Sequence, residues 1–163
     1  MFVGRKQELR AIQSVLGQKS GSILVYGKRK VGKTTLILEA LKGNANKTVY
    51  YECLKSSLQD NIDSFVSALI AAQVLPVRLG FASFQDVFGY LNTLPGTFNI
   101  VLDEYPYLKK FTAGETVDSI FQAVIDNHLS NIRLIISGSH IGMMKDLLEE
   151  KNALYGRFSA VIR

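Results

Sequence analysis

The sequence predicts an α/β fold, a parallel sheet held between two layers of helices. Two observations lead there. Short apolar runs alternate along the chain with segments of helical periodicity. Three of those runs, residues 22–26, 98–102 and 132–136, are almost wholly apolar, as strands covered on both faces must be. The elements follow in order. Leu9, Ile12 and Leu16 fall at helical spacing and mark a helix over residues 5–16. SILVY at 22–26 is a buried strand that runs into Gly27. Leu36, Ile37 and Leu41 lie on one side of a helix over 33–41, which Gly43-Asn44 stops. Residues 48–53 are β-branched and aromatic, a second strand. Leu58, Ile62, Phe65, Val66, Leu69 and Ile70 step by three and four, giving a helix over 58–73 that Leu75-Pro76 ends. A shorter helix over 83–92 precedes the break at Pro95-Gly96. FNIVL at 98–102 is a third strand, leading straight into Asp103-Glu104. Val117, Ile120, Phe121, Val124 and Ile125 define a helix over 114–129. IRLII at 132–136 is a fourth strand, followed by Ser137-Gly138-Ser139, a helix over 141–150 and a fifth strand over 157–162.

At 163 residues the chain matches one domain, able to bury roughly two-thirds of its unfolded surface. Its 47% apolar and 20% charged residues exclude disorder and collagen-like or low-complexity filaments. A net charge of +5 suits an anionic ligand without specifying nucleic acid. Cys53 stands alone, so no intrachain disulfide or cysteine-rich metal site can form, and a cytoplasmic setting is expected. No run of 18 apolar residues is present, so no membrane contact is expected, and the first residues lack a signal-peptide core.

In a parallel sheet, ligands bind beyond the carboxyl ends of the strands, which makes the polar residues there the ones to inspect. Residues 27–34, GKRKVGKT, match G-x-x-x-x-G-K-[ST] in full and lie between an apolar strand and a helix. The glycines allow successive N–H groups to face one anion, and the helix N-terminus adds its dipole. Gly27, Lys30, Val31, Gly32, Lys33, Thr34 and Thr35 are therefore the candidate nucleotide-binding residues. Lys33 is expected to reach the β- and γ-phosphates, and Thr34 to offer a hydroxyl to Mg²⁺. Lys28, Arg29 and Lys30 add positive potential.

A strand ending in two carboxylates gains meaning beside such a loop. Asp103 is expected to hold the metal, and Glu104 to orient or deprotonate an attacking water. Ser137 could bond a γ-phosphate or that water, or instead cap the next helix; Ser139 is the better cap candidate. A serine-hydrolase elbow would need glycine at 137. His128 and His140 lack companions for a zinc site. Tyr50, Tyr51, Tyr105 and Tyr107 are read as packing rather than base stacking.

Residues 2–8, FVGRKQE, the phosphate loop, Asp103-Glu104, Ser137-Gly138-Ser139 and LYGR at 154–157 occur in the order seen in one group. The chain resembles the archaeal-type family of prokaryotic AAA+ and STAND-like P-loop ATPases along essentially its whole length. That resemblance implies a three-layer αβα sandwich with a five-stranded sheet of order 5-1-4-3-2. It also places Val3 and Gly4 near the adenine, makes Ser137 the sensor-1 position and makes Arg157 a candidate arginine finger toward a neighbouring subunit. The resembled group continues into a helical lid and often a winged-helix or nuclease-like module. Residues 1–163 correspond to the nucleotide-binding core alone, and any nucleic-acid contact is expected from regions beyond them.

The expected function is Mg²⁺-dependent ATP hydrolysis, with Lys33, Glu104, Ser137 and Arg157 as catalytic candidates and Thr34 and Asp103 on the metal. The preference for ATP over GTP follows from the resemblance and from the missing N-K-x-D guanine motif. A nucleotide-gated switch or oligomerisation module with slow hydrolysis is the alternative, acting on a second copy or a C-terminal effector module. A small-molecule kinase fits less well, because residues 137–151 contain no arginine for a mobile lid.

Overall fold

A computed structural model of the chain describes residues 5–27 and 32–163. The expectations for Val3, Gly4, Lys28, Arg29, Lys30 and Val31 lie outside the described residues. Five strands form one parallel sheet: β1 (Gly21–Tyr26), β2 (Lys47–Glu52), β3 (Phe98–Asp103), β4 (Ile132–Gly138) and β5 (Ala160–Ile162). Their spatial order, β2-β3-β4-β1-β5, is the expected order read from the other edge. The register sets Tyr51 beside Leu102, Leu102 beside Ile136, and Leu24 beside Ile136.

Alternation along each strand sorts the core into two layers. Ile23, Val25, Val101 and Ile135 face α1 (Lys6–Leu16) and α2 (Lys33–Leu41), burying Ile12, Leu16, Leu36 and Ile37. Leu24, Val49, Ile100, Leu102 and Ile136 face the opposite way, against α3 (Leu58–Ala71), α4 (Phe84–Leu91) and α5 (Gly114–Asn127). Phe65 stacks on Phe88 at 5.7 Å between ring centroids, and Phe84 lies 5.3 Å from Phe121. Ser57 and Ser83 start α3 and α4 by accepting from the N–H groups of Asp60 and Asp86, each at 3.1 Å.

Two elements are shorter than their sequence patterns. The last helix, α6, covers Ile141–Asp146 and not 141–150. Beyond it the chain tightens into i→i−3 turns, Leu147 onto Met144 and Glu149 onto Asp146. Asp146, Glu149 and Glu150 crowd negative charge where a helix C-terminus disfavours it. β5 begins at Ala160 rather than Arg157; just before it the Ser159 N–H donates to the Ser22 carbonyl at 2.7 Å, and the remaining bonds to β1 run through side chains. Ser22 Oγ donates to the Arg157 carbonyl at 2.6 Å, and Ser159 Oγ accepts from the Ser22 N–H at 3.2 Å.

A buried charge also lies along β4. Arg133 of β4 is 2% exposed. Its Nε donates to Asn99 at 2.8 Å and its Nη1 to the Gln18 carbonyl at 3.3 Å. No helix among the described residues is long and apolar enough to cross a membrane.

Candidate functional site

The carboxyl ends of β1, β3 and β4 meet the N-terminus of α2. Gly32 starts α2 at φ 82°, ψ 22°, with open space where a Cβ would stand, so left-handed backbone rather than crowding demands glycine there. Gly138 at the end of β4 is required for the opposite reason. A Cβ there would stand 2.7 Å from Met144 Sδ and 2.9 Å from Pro106 Cδ. That close approach brings the β4 end against the turn that follows β3.

Lys33, in the first turn of α2, is buried and points back over the sheet. Its Nζ lies 3.0 Å from Asp103 Oδ1 and 3.9 Å from Glu104 Oε1. Asp103, the last residue of β3, is 4% exposed and densely coordinated. Its Oδ1 accepts from Lys33, from Ser137 Oγ at 2.8 Å and from the Glu104 N–H at 2.9 Å. Its Oδ2 accepts from the Tyr50 hydroxyl at 2.8 Å. Burial pushes this carboxyl up, but the donors Lys33, Tyr50 and Ser137 outweigh it and hold it below its ordinary 3.8.

That depression has a pH consequence. The folded value lies below the unfolded one, so the ionised carboxylate stabilises the fold above about pH 4 and ceases to do so as pH falls through the folded value. The difference in melting temperature between the protein and Asp103→Asn is expected to be constant near neutrality and to shrink below about pH 4. A difference that stays fully open in acid contradicts the assignment.

Glu104 occupies an unusual place. Its backbone is left-handed, φ 56° and ψ 44°, a conformation that costs a non-glycine residue about 1–2 kcal/mol. The turn directs its side chain toward the end of β4. Oε1 accepts from the Ser139 N–H and Oε2 from Ser139 Oγ, both at 3.0 Å. A 3-10 helix, Tyr105–Lys109, begins at once and locks the bend, with Tyr107 N–H on the Glu104 carbonyl at 3.0 Å. Tyr105 below it packs on Phe121 at 5.4 Å and donates to the buried Asp118 at 2.8 Å. Asp118 also accepts from Lys109 at 2.8 Å and Asn152 at 3.0 Å, so α5 and the chain near residue 152 brace the same turn.

The structure thus gathers Lys33, Asp103, Glu104 and Ser137, with Thr34 the next residue of α2 after Lys33 and the Tyr50 hydroxyl on Asp103. Gly27 lies at the same end, its N–H on the Gly138 carbonyl at 3.4 Å. Thr35 is exposed on the first turn of α2. Arg157 is elsewhere, with Nε 3.0 Å from Asp126 Oδ1 and Nη2 3.2 Å from Oδ2. Two expectations are corrected. Ser139 does not cap α6; His140 does, its Nδ1 accepting from the Met143 N–H at 3.1 Å, while Ser139 is drawn to Glu104. Tyr50 is more than packing, since its hydroxyl binds Asp103. Burial pushes the Cys53 thiol well up, helped by the charges of Asp103 and Glu104, so the lone cysteine is a poor nucleophile.

The hydroxyl of Thr34 and the ionised carboxylate of Asp103 are hard oxygen donors of the kind Mg²⁺ prefers. No group of three His, Cys, Asp or Glu among the described residues could hold a metal alone. The donors fit an ion whose remaining ligands are phosphate oxygens and water.

The sheet order and the Gly-Lys-Thr start of α2 at the carboxyl end of β1 define a P-loop nucleoside triphosphatase fold. The chain belongs to the family described as an ATPase domain predominantly from Archaea, whose family model matches residues 2–162. An uncharacterized protein of Methanocaldococcus jannaschii is 35% identical over 167 residues, covering all of this chain and 35% of that protein. The fold is similar to a Walker-type ATPase of Pyrococcus abyssi, with TM-score 0.70, 22% identity and coverage of 99% of this chain and 53% of that one. It is also similar to an Aeropyrum pernix ORC1 protein solved in complex with DNA, with TM-score 0.71, 21% identity and coverage of 99% and 45%. The chain therefore spans about a third of the curated relative and about half of these solved chains.

Proposed function

We propose that residues 1–163 act as one nucleotide-binding core that holds ATP with Mg²⁺ and hydrolyses its β–γ bond. The observation that supports this most is the convergence of Lys33, Asp103, Glu104 and Ser137 at three strand ends beside the α2 N-terminus. Lys33 and the amides at the start of α2 bind the phosphates, with Lys30, Val31 and Gly32 in the preceding loop and Thr35 behind it. Thr34 and Asp103 hold the cation. Bound there, Mg²⁺ would neutralise charge on the phosphate oxygens.

Glu104 orients the attacking water and accepts its proton, and to do so it exchanges one bond from Ser139 for that water. Ser137 steadies Asp103 from β4 and, in the sensor-1 role, reads the γ-phosphate. Arg157 acts as a finger on a neighbouring copy only after leaving Asp126; at this half-exposed site that costs roughly 0–1 kcal/mol. Val3 and Gly4 flank the adenine. The buried thiol of Cys53 suits a reducing, cytoplasmic setting.

One observation favours a second reading, a nucleotide-gated switch with slow turnover. Both oxygens of Glu104 are engaged by Ser139, which restrains the base. Phosphate release from Mg-ATP tests the first reading, with light scattering in ADP and in a slowly hydrolysed ATP analogue as the second arm. Steady release supports hydrolysis. Bound nucleotide without release, but with a change in particle size, supports the switch.

A further inference from the structure

Among the described residues, Asp118 is the buried carboxylate that the proposed chemistry leaves unused. It lies one turn into α5, on the side of Val117 and Phe121, both fully buried. A charge there costs free energy that well-packed apolar side chains would not. Its donors show what it holds. Oδ1 accepts from the Tyr105 hydroxyl at 2.8 Å, and Oδ2 from Lys109 Nζ at 2.8 Å and Asn152 Nδ2 at 3.0 Å. Tyr105 and Lys109 are the first and last residues of the 3-10 helix, so one carboxylate grips that helix by both ends. The Lys109 ammonium also lies 5.8 Å from the centre of the Tyr105 ring. Gly114 leaves the room for this, since a Cβ there would stand 2.8 Å from Lys109 Cε.

The 3-10 helix starts immediately after Glu104. Left-handed backbone at a glutamate persists only where its surroundings over-determine it. Five residues of 3-10 helix are a weak support by themselves. Asp118 supplies the anchorage they lack, and Asn152 joins the same carboxylate to the chain beyond α6. On the far side of the turn, the Glu104 carboxylate meets Ser139 at the end of β4. We propose that Asp118 is a positioning residue for Glu104, clasping the 3-10 helix at both ends so that the left-handed turn aims the glutamate side chain toward the end of β4. This rests on the proposed hydrolysis and assigns α5 a part in it.

Asp118→Asn keeps the size of the side chain but leaves one oxygen to serve three donors. It is expected to lower kcat for phosphate release by about ten- to hundredfold, the effect of a reacting group displaced by about an ångström, with KM for ATP within about twofold. In a Glu104→Gln background the same replacement is expected to change residual release less than about twofold, because the side chain it aims no longer takes a proton. Amide hydrogen exchange at Ser139, whose N–H is held by Glu104, gives a readout without turnover. Exchange there is expected to quicken about tenfold in Asp118→Asn, and to stay within about twofold in Leu16→Ala, a core variant of the opposite layer. Unchanged kcat in Asp118→Asn overturns the proposal, as does an equal loss in the Glu104→Gln background or a loss matched by fewer nucleotide-binding molecules. Unchanged Ser139 exchange in Asp118→Asn, or equal quickening in Leu16→Ala, overturns it whether or not phosphate is released. If the unaltered protein binds ATP and releases no phosphate, the hydrolysis reading falls, and Ser139 exchange alone decides whether Asp118 holds Glu104 in place.

Discussion

Lys33→Ala is expected to lower ATP affinity by about a hundredfold and to cost about 3 kcal/mol of stability. Both effects come from one buried ammonium. It lies 3.0 Å from Asp103 and 3.9 Å from Glu104, so its removal leaves neighbouring carboxylates buried without their cation. Calorimetry with ATP and urea denaturation measure the two effects separately. Adding Asp103→Asn to Lys33→Ala should recover much of the stability, because the unpaired charge is gone, but none of the affinity. Recovery of both would mean that the lysine serves the fold and not the phosphates. Near-native affinity in Lys33→Ala alone would remove the lysine from the binding site.

Glu104→Gln is expected to reduce phosphate release by about 10²–10⁴-fold while ATP binding stays within a few-fold. Glutamine keeps the length of the side chain and can still accept the Ser139 bond at one oxygen, so the left-handed turn should persist. What it cannot do is take a proton from water. A rate equal to that of the unaltered protein would place the base elsewhere. Single-turnover quench experiments with Mg-ATP distinguish this from an effect on product release.

The layers of the fold were legible because residues such as Ile23, Val101 and Ile135 must be apolar whichever face they meet. Lys33, Asp103 and Glu104 were legible because phosphate chemistry demands those residue types at strand ends. The bonds among them were not. Nothing local marks Glu104 as left-handed, since that conformation is imposed by the 3-10 helix after it and by Ser139 across the sheet. Tyr50 looks like any strand tyrosine until the β2–β3 register sets it two residues before Asp103. Asp118 and Arg133 sit inside apolar patterns and find partners distant in sequence, Tyr105 and Asn99. The approach to β5 is held by the Ser22 hydroxyl on the Arg157 carbonyl and the Ser22 N–H on Ser159 Oγ, bonds that no periodicity reveals.

The most direct measurement is a crystal structure of the chain grown with Mg²⁺ and a slowly hydrolysed ATP analogue. The triphosphate is expected over the first turn of α2, touching Lys33, with the ion between Thr34 and Asp103. Well-ordered analogue bound anywhere else, or none at saturating concentration in crystals of folded protein, would contradict this placement.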